Sequence, residues 1–306
     1  ESQERYAGHG SAIACCYNHI ILPLATRRDK ETQIAWGVRD FAARFGREPE
    51  GMWLPETAVD IESLDLMAGA GIRFAILAPH QAGKVRATGA DGWTDVSGGR
   101  VETRMPYTCR LPSGREIAIF FYDGNISRDI AFGPLLSDGR RFAGRLLAAF
   151  SRGGKRPELV HIATDGETYG HHRKFGEMAL AYALRTIEAR ADARLTVYGE
   201  YLALHPPTHE VAVRERTSWS CIHGVERWQR GCGCNSGSCP GWSQAWRKPL
   251  REAVDMVRDT LTPRSAEALA AYLRDPVEAR DDAVDLILNG WSDEAIEAFL
   301  SRHALR

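Results

Sequence analysis

GMWLPETAVDIESLDLMAGAGIRFAILAP, residues 51–79, decides the reading of the fold. Its lead, Met52, Trp53 and Leu54, is an apolar run that Pro55 stops, because proline lacks a backbone donor and fixes its own φ. A helix opens near Thr57 with Ile61, Leu64 and Met67 on one face, and Gly69 or Gly71 closes it. IRFAILAP, residues 72–79, then reads as a buried strand, since its apolar positions run on without alternation. Two strands bracketing a helix imply a parallel pair joined by a helical crossover, the unit of an α/β sheet or barrel.

The same alternation extends in both directions. KETQIAWGVRDFAARFG, residues 30–46, places Ile34, Val38, Phe41 and Phe45 at helical spacing and ends on Gly46. REIAIFFYDG (115–124) repeats the strand signal, DGRRFAGRLLAAFSRGG (138–154) reads as a helix with a glycine end, and PELVHIATDGET (157–168) reads as a strand running into a loop. FGEMALAYALRTIEARA (175–191) is a helix and RLTVYG (194–199) a short strand. Residues 81–118, rich in glycine and polar side chains, read as an excursion containing a hairpin. Past Pro206 the texture changes to a tract dense in tryptophan, cysteine, glycine and arginine (216–250), followed by helical runs to the end. Residues 1–205 are therefore expected to form the α/β domain and 206–306 a Cys/Trp-rich loop with a helical domain.

Composition bounds the partners. The 306 residues suffice for a substantial core, and 39 basic against 40 acidic side chains give a formal net charge of -1, which gives no argument for nucleic acid or an anionic membrane as the main partner. No apolar run approaches the roughly 18 residues of a membrane helix. Seven cysteines, with Cys15 and Cys16 adjacent, make a poor disulfide framework and point to a reducing, cytoplasmic setting. The oligomeric state is not legible.

In parallel α/β folds, active sites form at the C-terminal ends of strands. Glu56 stands at one such end; Asp165 and Glu167 stand at another. For Glu56 alone, a carboxylate stabilised by the N-terminus of the next helix explains as much. Together with the aromatics Trp53 and Tyr169 and with His19, His171 and His172, the two strand-end acids supply what glycosidic cleavage needs. One carboxylate attacks or stabilises the anomeric centre, another group protonates the leaving oxygen, and aromatic faces stack on sugar rings. Asp123 and Arg128 follow a further strand, where an Asp-Gly turn accounts for Asp123 without substrate.

WLPE (53–56) and DGETYGHH (165–172) resemble the third and fourth signature regions of glycoside hydrolase family 57, and YNHIILPLA (17–25) resembles the second. The family's members are retaining enzymes acting on α-glucans, amylases and glucanotransferases among them, on a seven-stranded β/α barrel. The resemblance implies Glu56 as nucleophile and Asp165 as general acid/base through a covalent glycosyl-enzyme. It implies a substrate site lined by His19, Trp53, Glu167 and His171, an oligo- or polysaccharide substrate, and no cofactor. Beside the resemblance, position and residue type make Tyr169, Asp123, Trp219, Arg227 and Trp228 further candidate substrate contacts. SWSCIHGVERW (218–228) and the CGC that follows resemble the subset carrying a domain of unknown function, DUF3536. The family's first signature is absent, so the chain is expected to begin partway through the barrel.

Two other readings stand beside this one. A metal-dependent polysaccharide deacetylase would recruit Asp165 with His19 and His171 or His172 and give Glu56 no special role; a silent carbohydrate-binding protein would need neither acid. Cys221, His223, Cys232 and Cys234, with Cys239 as a fifth candidate, offer soft ligands for tetrahedral zinc, although the spacing is not a common zinc-ribbon pattern. Buried thiols packed into a loop are the commoner case, and no residue is assigned to a metal from sequence.

Overall fold

The computed structural model describes residues 1–151, 153, 156–234, 239 and 241–305. Along the chain run α1 (Ser2–Arg5), β1 (Ala14–Cys15), α2 (Arg27–Phe45), β2 (Gly51–Trp53), α3 (Ile61–Gly69) and β3 (Phe74–Leu77). They are followed by β4 (Ala82–Ala87), β5 (Thr94–Asp95), β6 (Tyr107–Arg110), β7 (Glu116–Phe121), α4 (Gly124–Ala131), α5 (Gly139–Leu147), α6 (Gly176–Glu188), α7 (Tyr198–Leu204) and β8 (His209–Val213). Helices α8 (Arg247–Ala270), α9 (Pro276–Leu288) and α10 (Asp293–His303) end it. The chain divides into two compact units, one of Glu1–Ile13 with Arg73–Arg214, the other of Ala14–Ile72 with Glu215–Arg306.

In the first unit, β3 pairs in parallel with β7, the two uninterrupted apolar runs, in a register of Phe74 with Ala118 through Leu77 with Phe121. All of β3 is buried, and so is β7 apart from Glu116. β6 turns back antiparallel on β7, while β8 joins β6 in parallel and β4 antiparallel, with β5 beyond β4. The excursion read at 81–118 thus supplies strands, and the sheet is mixed where alternation alone implied parallel pairing. Helices α4, α5 and α6 bring Ile126, Ile130, Phe142, Ala179 and Ala183 into one buried cluster, because their apolar residues recur on a single face.

Two strand expectations fail here. Residues 157–165 form no ladder: Pro157 offers no donor, and the donors and acceptors that follow find scattered partners, Leu159 N–H on Arg104 O at 2.9 Å and Asp123 N–H on His161 O at 2.9 Å. RLTVYG is not a strand either. Thr196 donates its hydroxyl to Glu200 and Arg194 pairs with the same carboxylate at 3.1 Å, so the stretch turns directly into α7. The helix read at 138–154 ends at Leu147, and Gly154 of its expected stop lies outside the described residues.

In the second unit, β1 and β2 pair in parallel, Ala14 with Met52 and Cys15 with Trp53. Helix α2 is capped by Thr26, whose hydroxyl accepts from Asp29 N–H at 3.2 Å, and is stopped by Gly46 at φ 63°. It passes so close to β1 that a Cβ on Gly37 would stand 2.1 Å from Cys15 O. Arg39 on its outer face reaches Asp282 of α9, which also accepts from Arg302 and His303 of α10. Asp275 and Ser292 cap α9 and α10 through their side chains. Among the described residues no helix is long and apolar enough to cross a membrane.

Candidate active site

The helix expected to open near Thr57 begins four residues later, and what intervenes is strained. Glu56 has φ 59° and Thr57 φ 48°, consecutive left-handed conformations that side-chain-bearing residues, and β-branched threonine above all, adopt at a cost of about 1–3 kcal/mol each. The surroundings over-determine them. Thr57 N–H donates to Leu54 O at 2.8 Å and Ala58 N–H to Pro55 O at 3.0 Å, closing a turn that Pro55 pre-shapes. Residues 57–60 are buried. Asp60 then caps α3 by accepting from Ser63 N–H at 2.9 Å, while its other oxygen takes a 2.6 Å bond from Lys30 of α2, whose side chain is 3% exposed.

The segment after β8 locks Glu56 from a second direction. Val59 N–H donates to Thr217 O at 3.0 Å and Arg216 N–H to Val59 O at 2.7 Å, a two-residue bridge that lays Thr217–Ser220 beside the strained turn. Trp219 holds Glu56 twice, its backbone N–H on the Glu56 carbonyl at 3.1 Å and its indole Nε1–H on Oε2 at 3.0 Å. His19 Nε2 meets Oε1 at 3.3 Å. Trp53, half-buried, packs edge-to-face on Trp219 with ring centroids 5.1 Å apart.

These contacts set the charge on Glu56. Burial pushes its carboxyl up, but the polar side chains of Ser220, Trp219 and His19 together outweigh burial and hold it below the usual carboxylate range. Ser220 Oγ is buried and outside strict hydrogen-bond geometry with any described residue, so it acts as a nearby dipole, and the Trp219 indole is the defined donor. Glu56 is thus an anion at neutral pH. It opens on a cavity of about 530 Å³ walled by Arg227, Trp228, Trp246, Arg247, Leu250, Arg251 and Val254. Arg227 donates to Ser220 O at 2.8 Å and lies over the Trp228 ring. An anionic carboxylate facing indole faces and guanidinium donors suits a ligand that is both hydroxylated and stackable.

Of the residues singled out from sequence, Glu56, His19, Trp53, Trp219, Arg227 and Trp228 all lie in the second unit around this turn and cavity. His19 is exposed, with its side chain 71% accessible. Trp246, Arg247, Leu250, Arg251 and Val254 were not foreseen, although Trp246, Leu250 and Val254 recur every fourth residue, a helical-face signal readable without a structure.

Asp165, Glu167, Tyr169, His171 and Asp123 lie in the first unit. Asp165 is exposed, starts the short turn Gly166–Thr168 and makes no side-chain cap bond. Glu167 is exposed, and its carbonyl accepts from His172 N–H at 2.9 Å. The His171 and His172 rings are exposed and 4.9 Å apart. Tyr169 accepts from Thr164 Oγ at 3.0 Å, and burial pushes its phenol up. Asp123 caps α4, taking Asn125 N–H at 3.0 Å and Ile126 N–H at 2.9 Å on one oxygen, which is the turn role open to it from sequence. His161, not foreseen, is fully enclosed between Tyr198 Oη at 3.0 Å and Thr103 O at 3.1 Å; burial pushes its imidazole down to about 4, so it stays neutral. Among the described residues, the group of possible metal ligands that converges is Cys221, His223, Cys232 and Cys234, and neither Asp165, His171 nor His172 belongs to it.

Comparison with solved structures gives the fold its relatives. An exo-type maltose-forming amylase from Pyrococcus sp. ST04 superposes with a TM-score of 0.70 at 13% identity, covering 97% of this chain and 51% of that one. A branching enzyme from Pyrococcus horikoshii superposes with a TM-score of 0.61 at 17% identity, over 98% of this chain and 64% of that one. A 4-alpha-glucanotransferase from Thermococcus litoralis gives 0.55 at 20% identity, over 75% and 33%. The chain thus spans from a third to under two-thirds of the length of these three proteins. Comparison with curated proteins yields no match. The sequence profile of DUF3536, a domain of unknown function, matches residues 242–306. The profile of glycosyl hydrolase family 57 matches residues 5–214, more than half of the chain, and the chain belongs to that family.

Proposed function

We propose that the chain is part of a retaining α-glucan hydrolase or transglycosylase in which Glu56 is the nucleophile and Asp165 the general acid/base. The observation that carries this reading is the state of Glu56: a carboxylate kept anionic, borne on a strained turn, bonded by His19 and Trp219 on its two oxygens, and facing an aromatic-walled cavity. In this mechanism Glu56 attacks the anomeric carbon as Asp165 gives a proton to the departing glycosidic oxygen. The covalent glycosyl-enzyme is then opened by water or a sugar hydroxyl, from which Asp165 takes the proton back. His19 and the Trp219 indole orient the carboxylate, one on each oxygen. Trp53, Tyr169, Trp228 and Trp246 offer ring faces to sugars, and Glu167, His171, Asp123 and Arg227 offer polar contacts. The family and its α-glucan-processing structural relatives support an oligo- or polysaccharide substrate. The reading keeps residues 1–205 as the catalytic portion and 206–306 as the C-terminal domain, in a cytoplasm whose reducing conditions suit the clustered thiols of Cys221, Cys232 and Cys234.

Wild type and Glu56→Gln, both checked for folding, are incubated with maltooligosaccharides and soluble starch and the products resolved by size. Shortened or redistributed chains from the wild type alone support the proposal and distinguish hydrolysis from transfer. Equal turnover by both proteins would remove Glu56 from the mechanism.

A further inference from the structure

The loop that follows Trp219 carries a second constellation. Cys221 and His223, then Cys232 and Cys234 beginning nine residues further on, bring three thiols and an imidazole to one point, with all four ligand atoms within 4.8 Å of one another. Cys221 Sγ stands 3.8 Å from both Cys232 Sγ and Cys234 Sγ. His223 Nδ1 is 3.4 Å from Cys234 Sγ and 4.0 Å from Cys221 Sγ. A disulfide would need sulfurs about 2.0 Å apart. A tetrahedral ion with sulfur at about 2.3 Å and nitrogen at about 2.0–2.1 Å has S···S edges of about 3.8 Å and S···N edges of about 3.5 Å. The two S···S distances and the His223–Cys234 distance match these edges, and the His223–Cys221 distance is about 0.5 Å longer.

We infer that Cys221, His223, Cys232 and Cys234 bind one structural Zn²⁺, which fixes the loop holding Trp219 and Ser220 beside Glu56. The donor set selects the ion. Three thiolates and an imidazole are soft to borderline ligands, which favour zinc over calcium or magnesium, and four protein ligands leave no open position for a substrate. Contacts close in sequence shape the loop. Gly224, at φ 79°, has its α-carbon so close to Arg216 that a Cβ would stand 2.1 Å from the Arg216 carbonyl. Ser218 Oγ donates to Gly224 O at 2.7 Å, Gly224 N–H to Cys221 O at 3.0 Å, and the Gln244 side chain to Cys234 O. Cys221 is buried, His223 is exposed and the other two thiols are half-buried, so the ion would sit at the loop surface with a path for entry. Cys239 is exposed and lies outside the group.

The test loads the reduced full chain with Zn²⁺, removes excess by gel filtration and measures zinc by elemental analysis. About one zinc per chain is expected. Cys234→Ser and His223→Ala, at positions exposed enough to spare the core, should each lose most of it, while Cys239→Ser keeps it. Alkylation mapped by mass spectrometry gives a second readout on the unaltered chain: bound zinc should protect Cys221, Cys232 and Cys234 and leave Cys239 reactive. Substituted Co²⁺ should show thiolate charge transfer and tetrahedral bands. A reduced, folded chain that retains no zinc, or zinc that survives both variants with Cys232 and Cys234 freely alkylated, would overturn the assignment.

Discussion

Replacing Lys30 with methionine tests how the turn bearing Glu56 is held from behind. The Lys30 ammonium is buried, 2.6 Å from Asp60 and 2.8 Å from Glu62. The Asp60 side chain is 12% exposed and Glu62 41% exposed, so losing Lys30 leaves Glu62 in water but strands a mostly buried anion at Asp60. Removing one partner of a buried pair costs about 3–5 kcal/mol; Asp60 keeps its bond from Ser63 N–H and some solvent, which puts Lys30→Met at about 3 kcal/mol. At about 2–4 °C per kcal/mol, the melting temperature should fall by about 6–12 °C. Lys30→Met with Asp60→Asn removes the stranded charge but keeps a capping side chain, and should recover more than half of the loss. Urea unfolding of wild type, both single variants and the double variant measures the coupling. A Lys30→Met cost below about 0.5 kcal/mol, or a double variant no better than Lys30→Met, would show that the pair does not restrain this segment.

Other consequences follow from single contacts. Trp219→Phe removes the indole donor to Glu56 while keeping the ring, so the carboxyl should titrate at higher pH; the acid limb of the activity profile moves upward, with about a fivefold loss from about 1 kcal/mol of a partly exposed, charge-assisted bond. An unmoved acid limb would mean that the indole does not set the charge on Glu56. Gly37→Ala gains helix propensity, yet its Cβ would overlap Cys15 O, so a net loss of about 2 kcal/mol is expected in thermal melts, and stabilisation would contradict the packing of α2 on β1. At Asp282, burial pushes the carboxyl up but hydrogen bonds from Arg302, Arg39 and His303 outweigh it and hold it below the ordinary range. Its contribution is therefore present above the unfolded carboxylate value of about 3.9 and lost as pH falls through the lower folded value. Asp282→Asn should cost about 2 kcal/mol at pH 7, a gap that shrinks as pH falls from about 3.9 through the lower folded value; a gap independent of pH would refute this.

Much of this was legible in residues 51–79. The strand, helix and second strand are each signalled by an apolar pattern with a glycine or proline stop, and β2, α3 and β3 follow them within a few residues. The misreadings share a cause. Val160 and Ile162 look like a strand because they are apolar and β-branched, but their burial is against the α4–α6 helices, and a ladder also needs a neighbouring edge. Helix α3 starts later than its apolar pattern implies because a left-handed glutamate followed by a left-handed threonine is held by the Thr217–Ser220 segment, more than 150 residues away in sequence. Glu56, His19 and Trp53 could be picked out from local motifs. That Trp219 supplies a bond to each end of Glu56, or that Trp246 and Arg251 share its cavity, depends on pairing no local window contains.

Trapping a glycosyl-enzyme tests the proposed role of Glu56 most directly. The chain is incubated with a fluorinated maltosyl fluoride, whose electron-withdrawing fluorine slows breakdown of a glycosyl-enzyme more than its formation, and the protein is weighed intact and then as peptides. One maltosyl adduct per chain is expected, on the peptide containing Glu56, and none in Glu56→Gln. An adduct on any other carboxylate, or turnover that leaves Glu56 unmodified and survives its replacement, would contradict it.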